Sequence, residues 1–136
     1  MSNEDEKRAL ARYPVHLGLG GTAVPQPEFN GVQWYAGYGE RHDGDGVDGR
    51  LLSMHTFSEP WAMWEMHPVG AEVVIVTAGE MTLIQGRDGE GEQTRVRLGV
   101  GEYAVNPPGV WHTADVESSA TAVFITAGEG TLNEPR

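Results

Sequence analysis

The sequence predicts an all-β domain, and three observations support this fold class. First, the 136 residues include 19 glycines and 8 prolines, and both residue types mark turns because of their special backbone dihedrals. Second, strand-like segments follow one another from residue 32 onward, separated by short turn sequences. Third, no segment after residue 12 has a sustained helical period. The chain is long enough for one hydrophobic core, so we expect a single barrel or sandwich domain.

The first 30 residues are predicted to form an arm that packs on the domain formed by residues 31–136. Residues 3–12 carry acids at the start and bases at the end, the order that the helix dipole favours, and could form one or two helical turns. A frayed arm is the alternative. Over residues 13–30, closely spaced glycines and prolines indicate an irregular segment.

Strands are predicted through the rest of the chain. They are Val32–Tyr38, Arg50–Phe57, Trp61–His67, Glu72–Ala78, Met81–Gln85, Thr94–Leu98, Glu102–Val105, Trp111–Val116 and Ala120–Thr126. The segments between them supply turn residues at the close spacing of an antiparallel sandwich or barrel. Residues 42–49, HDGDGVDG, alternate Asp and Gly as a calcium loop does, but the glutamate of the last ligand position is missing. We predict a solvated turn there.

The charge and the cysteine content exclude several classes of function. The formal charge is −11, so phosphate-rich partners are repelled and nucleic acid is not expected as a partner. The chain has no cysteine, so any metal must be held by His, Asp, Glu or backbone oxygen. The longest aliphatic run, Val73–Val76, is too short to span a membrane, and the acidic N-terminus lacks the apolar segment of a signal peptide. We therefore expect a cytoplasmic protein without a membrane partner.

The stretch WEMHPVGAE, residues 64–72, places ionisable residues at the end of one predicted strand and the start of the next. Side chains alternate across a strand, so Glu65 and His67 share a face. Pro68 ends the strand because it cannot donate to a ladder of hydrogen bonds. The hairpin that follows can return Glu72 toward His67.

A second stretch, GEYAVNPPGVWH, residues 101–112, ends in another histidine. Two prolines and a glycine fix a turn within it, and the next predicted strand carries His112. The spacing is a Gly, five residues, a Pro, one residue, a Gly, two residues and a His. Strand-like sequence lies between this stretch and the first.

Together the two stretches resemble the two motifs of the cupin superfamily. The first cupin motif reads His-x-His, four residues, Glu, six residues and Gly. In this chain the corresponding stretch reads Glu65-x-His67, four residues, Glu72, six residues and Gly79. The second motif is matched by residues 101–112.

The resemblance covers roughly residues 50–126, which is most of the chain. Three positions depart from the family pattern. The leading Gly of the first motif falls at Glu59, its first His is Glu65, and the terminal Asn of the second motif falls at Val116. The departure at Glu65 bears directly on the metal site of the family.

The resemblance implies a cupin-type antiparallel double-stranded β-helix, which is a jelly-roll barrel, preceded by an irregular or short helical N-terminal arm. In this family the motif residues converge on a divalent metal at the barrel mouth, which implies His67, Glu72 and His112 as metal ligands. Two imidazoles and one carboxylate leave open positions for substrate or water. The implied cofactor is a divalent ion, Fe, Mn, Ni or Zn.

Glu65 has two possible roles beside such a metal. As a fourth ligand it would supply a second negative charge, which neutralises a divalent ion and favours harder ions such as Mn²⁺. As an unbound carboxylate it would be catalytic, acting as a general base. In a cupin that has lost its metal, Glu65 and His67 could instead pair through a hydrogen bond at the mouth of an apolar pocket.

Four further side chains bear on the pocket and the surface. Trp61 shares the face of Glu65 and could line the substrate site by stacking on a ring-shaped ligand, although barrel filling explains it equally well. His55 could line the same pocket or be a core histidine. Trp64 and Trp111 have the opposite parity and should point outward, where cover from a second subunit would make a homodimer.

Three classes of function follow. The first is a metal-binding small-molecule enzyme, either a dioxygenase or, if the metal polarises a carbonyl and Glu65 moves a proton, an isomerase or lyase. The second is a non-catalytic module that binds or senses a small molecule. The third is a metal-free structural barrel that serves oligomerisation. His16 and His42 lie in predicted loops and are assigned no function.

Overall fold

The structure, a computed structural model, describes residues 7–136. In that range the regular elements are β1 (Val15–Leu17), β2 (Ala23–Pro25), α1 (Trp34–His42), β3 (Arg50–Phe57), β4 (Met63–Met66), β5 (Glu72–Gly79), β6 (Met81–Gln85), β7 (Thr94–Leu98), β8 (Tyr103–Asn106), β9 (His112–Asp115), β10 (Ala120–Thr126) and β11 (Leu132–Pro135). Short 3-10 helices cover Leu19–Gly21 and Asp43–Asp48. The all-β prediction is confirmed.

The strands form two antiparallel sheets. A six-stranded sheet has the order β2-β1-β3-β10-β5-β8, and a five-stranded sheet has the order β11-β4-β9-β6-β7. The predicted bounds of β3, β6, β7 and β10 are confirmed, those of β5 differ by one residue at one end, and those of β8 and β9 differ by one residue at both ends. None of the helices within residues 7–136 is long and apolar enough to span a membrane.

The hydrophobic core lies between the two sheets. Val74 and Val76 of β5 and Leu83 of β6 are fully buried, as is Ala114 of β9. The side chains of β5 alternate between buried and more exposed positions, which is the pattern of a strand that is covered on one face. Phe124 of β10 completes this core at the end of the sandwich where the candidate site lies.

The segment predicted as the strand Val32–Tyr38 is instead the helix α1, so this prediction is wrong, as is the absence of a helix after residue 12. Aromatic residues favour strands by propensity. However, Trp34 and Tyr38 are four residues apart and stack with ring centroids 5.5 Å from each other on one helix face. Trp34 is buried, and its Nε1 donates a hydrogen bond to the carbonyl oxygen of Pro27. These tertiary contacts override the local strand propensity.

The N-terminal segment is more regular than predicted. Strands β1 and β2 pair with each other, and β1 also pairs with β3, which extends the six-stranded sheet. The irregular segment predicted over residues 13–30 is therefore wrong for these strands, which are too short to show a period among glycines and prolines. Of the helical turns predicted over residues 3–12, the first part falls on residues 1–6, outside the described residues, and residues 10–12 form a turn. The division of arm and barrel at residue 30 stays a prediction.

Trp64 and Trp111, which were predicted to point outward, are partly covered by other residues of the same chain. The predicted strand Trp61–His67 is shortened to β4, and the unpredicted β11 pairs with it, so that Glu134 lies beside Trp64. The guanidinium of Arg87 lies 4.2 Å from the ring centroid of Trp111, a cation–π contact. Both tryptophans are partly buried by these contacts. The homodimer stays a prediction.

A hydrogen-bonded cluster ties α1 and the following 3-10 helix to β1. His16 is 2% exposed, with Nδ1 lying 2.7 Å from the hydroxyl of Tyr38 and Nε2 lying 2.6 Å from Oδ2 of Asp45. The ring of His16 stacks on the ring of His42, with centroids 3.8 Å apart. The segment predicted as a solvated turn is therefore a 3-10 helix whose Asp45 is bonded to a buried histidine, and the turn prediction is wrong.

His42 gives this cluster a pH dependence that can be measured. Burial, followed by the charges of His16 and Arg41, lowers the pKa of His42 from its ordinary value of 6.5. A histidine with a lowered folded-state pKa stabilises the fold while neutral, and this contribution is lost as the pH falls from the unfolded value through the folded one. We expect the unfolding free energy of the wild type, minus that of His42→Gln, to shrink between about pH 7.5 and about pH 5 in urea titrations. A difference that is independent of pH would contradict this account.

Candidate metal centre

Four ionisable side chains from both sheets meet at one end of the sandwich. In the five-stranded sheet, Glu65 of β4 is directly paired with His112, the first residue of β9. His67 follows β4, and Glu72 is the first residue of β5 in the six-stranded sheet. His67, Glu72 and His112 are buried, and Glu65 is partly exposed. The structure therefore brings together all four residues predicted as metal ligands.

The donor atoms of these side chains are spaced like ligands on a single ion. Nε2 of His67 lies 3.1 Å from Oε1 of Glu65 and 3.3 Å from Oε2 of Glu72. Nε2 of His112 lies 3.3 Å from Oε1 of Glu65 and 3.3 Å from Oε1 of Glu72. Two donors bonded to one ion at about 2.1 Å are about 3.0 Å apart when the donor–ion–donor angle is a right angle. They are about 3.4 Å apart when it is the tetrahedral angle. The four side chains thus fit a first-row divalent ion.

The hydrogen-bond network presents His67 as a metal ligand. Its Nδ1 lies 2.8 Å from Oγ1 of Thr131, whose hydroxyl donates to the carbonyl oxygen of Gly128 at 2.7 Å. Because the hydroxyl proton is already used, Oγ1 accepts from the imidazole, and the network assigns a proton to Nδ1. In the neutral ring, Nε2 then carries the lone pair. Nε2 is buried and has no partner of hydrogen-bond geometry among residues 7–136, so a cation is the partner that suits it.

Glu72 receives a hydrogen bond on each of its two oxygens. Nδ2 of Asn106 donates to Oε1 at 3.0 Å, and the hydroxyl of Thr126 donates to Oε2 at 2.6 Å. Nε2 of Gln85 donates to Oδ1 of Asn106, which fixes the orientation of that amide. Such donors stabilise the ionised carboxylate and hold its direction. Glu72 therefore offers a fixed negative charge at the buried end of the site.

The charges of the four side chains favour a bound cation. Burial raises the pKa of Glu72, but the close contacts with His112 and His67 outweigh it and hold the pKa below its usual range. The same balance lowers the pKa of Glu65. Burial lowers the pKa of His67, but the contacts with Glu65 and Glu72 outweigh it and raise the pKa to about 9. Protons on the imidazoles supply positive charge in the metal-free protein, and a metal must displace them.

Replacing Thr131 with Val is expected to weaken Zn(II) binding by roughly 10- to 100-fold, because the hydrogen bond that orients His67 is lost while the shape of the side chain is kept. Isothermal titration of chelator-treated protein measures the affinity. Thr131→Ser keeps the hydroxyl and is the matched control, expected to bind within about threefold of the wild type. Equal affinities of Thr131→Val and the wild type would rule out this role for the hydroxyl.

Three of the four side chains, Glu65, His67 and Glu72, line a pocket of about 1170 Å³. This volume exceeds the roughly 300–1,000 Å³ that is usual for ligand pockets, so a small molecule has ample room. Trp61 and His55, the two residues predicted to line the substrate site, are both on the wall. Tyr35 of α1, which is 44% exposed, also lines the pocket, and its partial desolvation, with the charges of Glu65 and Glu72, raises its pKa to about 12.

A second group of potential ligands, His16, His42 and Asp45, has a structural role instead. Both ring nitrogens of His16 are engaged, one with Tyr38 and one with Asp45. The two imidazoles stack with an angle of 16° between their planes, so their in-plane lone pairs do not converge on one point. The group ties α1 to the six-stranded sheet and does not resemble a metal site.

The residues that support the ligands are missed by the sequence analysis. Thr126 shares the inward face of β10 with Phe124, so strand parity could have indicated it. Asn106 lies in the second motif, at a position that the motif leaves free. Thr131 lies in a loop, where no periodic signal exists. The hydrogen bonds that these three residues make to Glu72 and His67 are visible only in the three-dimensional structure.

Comparisons with known proteins give further findings. The family model described as the cupin domain matches residues 55–128. A cupin-2 domain containing protein from Shewanella frigidimarina NCIMB 400 is 24% identical, with a TM-score of 0.48 over 64% of this chain and 71% of that chain. Oxalate oxidase is 21% identical, with a TM-score of 0.50 over 61% of this chain and 45% of that chain. No curated protein matches the sequence.

The structural likenesses concern the fold, and this chain spans less than half of the oxalate oxidase chain. The cupin-type fold that the two motifs imply is confirmed by the family match together with the two antiparallel sheets. The matched range includes both motifs, from Glu65 to His112, and covers more than half of the chain. The protein therefore belongs to the cupin domain family.

Proposed function

We propose that the protein is a divalent-metal-dependent enzyme acting on a small molecule in the pocket, with Glu65, His67, Glu72 and His112 as the metal ligands. The observation that carries this proposal is the spacing of their donor atoms, 3.1 to 3.3 Å between the histidine nitrogens and the carboxylate oxygens. Two carboxylates and two imidazoles neutralise an M²⁺ ion and suit Fe, Mn, Ni or Zn. Such an ion, when bound, polarises substrate oxygens or, if it is iron, supports reaction with O₂.

Of the two roles open to Glu65, the geometry favours the ligand. Its Oε1 lies 3.1 Å from Nε2 of His67 and 3.3 Å from Nε2 of His112, so one oxygen faces both ligand nitrogens. A general base has to point at the proton that it removes from the substrate. Because a Glu65 that binds the metal is not available as a general base, we favour a dioxygenase over an isomerase or lyase. Oxalate oxidase, an enzyme of similar fold, is compatible with this order, although the likeness at 21% identity extends to the fold alone.

The experiment that tests the proposal is a measurement of metal content. The untagged protein is purified without chelator, its metals are quantified by elemental mass spectrometry, and the measurement is repeated on Glu65→Ala and His112→Ala. Tyr103→Phe, at an exposed position on β8, is the control. We expect near-stoichiometric metal in the wild type and the control, none in His112→Ala, and a strongly reduced content in Glu65→Ala.

The identity of the ion decides the next assay. Iron leads to oxygen-uptake measurements, whereas manganese, nickel or zinc leads to isomerase and lyase substrates. Full metal retention in Glu65→Ala would show that Glu65 is not a ligand and would favour its role as a general base. If the protein stays free of metal after reconstitution with Fe(II), Mn(II), Ni(II) and Zn(II), the proposal fails, and the binding-module or structural-barrel alternatives take its place.

A further inference from the structure

A row of aromatic side chains leads outward from the metal centre along the pocket wall. This aromatic row consists, in order, of Trp61, Phe57, Phe124, His55 and Phe29. Neighbouring ring centroids along it are 5.1 to 6.3 Å apart. At the inner end, the ring of Trp61 meets that of His112 edge to face, at 6.2 Å. Rings at these distances form a continuous apolar wall that favours packing with another ring.

Two buried nitrogen atoms on the aromatic row lack partners. Nε1 of Trp61 and Nε2 of His55 make no hydrogen bond with any group in residues 7–136. Buried polar groups are nearly always hydrogen-bonded, because an unpaired one is costly. Both side chains line the pocket, where a bound molecule can supply the partners. Trp61 can only donate, whereas His55, whose pKa is lowered by burial, is neutral and can donate or accept.

The two nitrogens lie at different places along the row. Trp61 is next to His112 and so next to the metal centre, whereas His55 contacts Phe29 at the outer end, with ring centroids 5.1 Å apart. Small residues of α1, Ala36 and Gly39, line the same pocket and leave room for a ring. Along the aromatic row, starting from the metal centre, the order is therefore metal ligands, a donor N–H, apolar rings, and a second polar nitrogen.

We propose that the pocket binds a flat aromatic molecule with two oxygen donors at one end, for the metal centre, and a hydroxyl group at the other end, for His55. Trp61 and His55 are the specificity-determining residues of this site. Nε1 of Trp61 donates to an oxygen near the metal-binding end, and Nε2 of His55 pairs with the distal hydroxyl. This inference rests on the proposed function, because the oxygen pair requires a bound ion.

Three 2-hydroxy acids test the inference. Lactate, 3-phenyllactate and 3-(4-hydroxyphenyl)lactate carry the same pair of oxygen donors and differ only in the ring and its hydroxyl. Zn(II)-loaded protein is titrated with each by calorimetry, because zinc permits binding without oxidation. We expect phenyllactate to bind about tenfold or more tightly than lactate, since a ring is buried against the aromatic row. The distal hydroxyl should add roughly a further fivefold.

Two variants separate the roles of the polar nitrogens. His55→Phe keeps a ring but removes the nitrogen, so it should lose the advantage of the 4-hydroxyphenyl ligand and retain that of phenyllactate over lactate. Trp61→Phe removes the N–H donor beside the metal centre and should weaken all three ligands by about fivefold. Tyr103→Phe, outside the pocket, should leave all three affinities unchanged. Near-ultraviolet circular dichroism checks that each variant is folded.

The possible failures are distinguishable. Equal affinities for lactate and phenyllactate in zinc-loaded protein overturn the aromatic ligand class. If His55→Phe still binds 3-(4-hydroxyphenyl)lactate more tightly than 3-phenyllactate, the assignment of the distal hydroxyl to His55 is overturned. If the protein binds no zinc, the proposed function fails, and the three acids are titrated into metal-free protein. A persisting preference for the ring then supports the aromatic site alone, and its absence overturns the inference as well.

Discussion

Glu72→Gln is expected to reduce the affinity for Zn(II) by more than about 100-fold and to lower the unfolding free energy of the metal-free protein by about 2 kcal/mol. The substitution removes the buried charge of the site and places an amide nitrogen opposite a donor. Both oxygens of Glu72 accept hydrogen bonds, from Asn106 and from Thr126. An amide in their place must turn its N–H₂ toward one of these donors and leaves it unpaired. Zinc titration and urea unfolding measure the two effects.

Glu117→Gln is the matched control for this experiment, because Glu117 is an exposed glutamate outside the metal centre. It should change neither the zinc affinity nor the midpoint of unfolding. Wild-type zinc stoichiometry in Glu72→Gln would remove Glu72 from the ligand set. An unchanged midpoint of unfolding would show that the two hydrogen bonds contribute nothing to stability.

Gly79→Ala is expected to lower the unfolding free energy by roughly 3–5 kcal/mol, measured by urea denaturation. Gly79 ends the first cupin motif and has φ of 70°, in the left-handed region that side chains rarely adopt. A Cβ at this position would also overlap the carbonyl oxygen of Ser119, a backbone atom in the turn that leads into β10. The fold therefore requires glycine at the last position of the motif for two reasons at once.

Gly109→Ala separates these two reasons. Gly109 belongs to the second motif and has φ of 78°, but a Cβ there would have no heavy atom within 4 Å. Only the backbone strain remains, so the expected loss is about 1 kcal/mol. If Gly79→Ala and Gly109→Ala were equally destabilised, the steric overlap with Ser119 would have no energetic consequence.

Strand propensity and turn residues were sufficient to predict most of the strands. Strands such as β3 and β10 are rich in residues that favour strands and are bounded by Gly or polar turns, so their bounds follow from the sequence. The convergence of Glu65 and His67 with Glu72 likewise follows from strand parity and a short turn. The arrival of His112 from a distant part of the chain was implied by the family resemblance, not by any local pattern.

What the sequence analysis missed depends on contacts between distant residues. The helix α1 is stabilised by Trp34, which packs on Tyr38 and donates to Pro27, whereas its aromatic composition indicates a strand. The buried pairing of His16 with Asp45 joins residues 29 positions apart in segments that both appear to be loops. Local sequence patterns cannot reveal such contacts, because the burial that strengthens these interactions arises only after the sheets assemble.

The proposed metal ligands come from both sheets, and this has a consequence for the lifetime of the folded state. Glu65 and His112 lie in the five-stranded sheet and Glu72 lies in the six-stranded sheet. A bound ion would therefore fasten the two layers together, and the layers could not separate without releasing it. At a free ion concentration about 100 times the dissociation constant, the gain in equilibrium stability is about 2.7 kcal/mol. Loss of the ion would then expose the chain to proteolysis, so that metal supply would set the abundance of the protein as well as its activity.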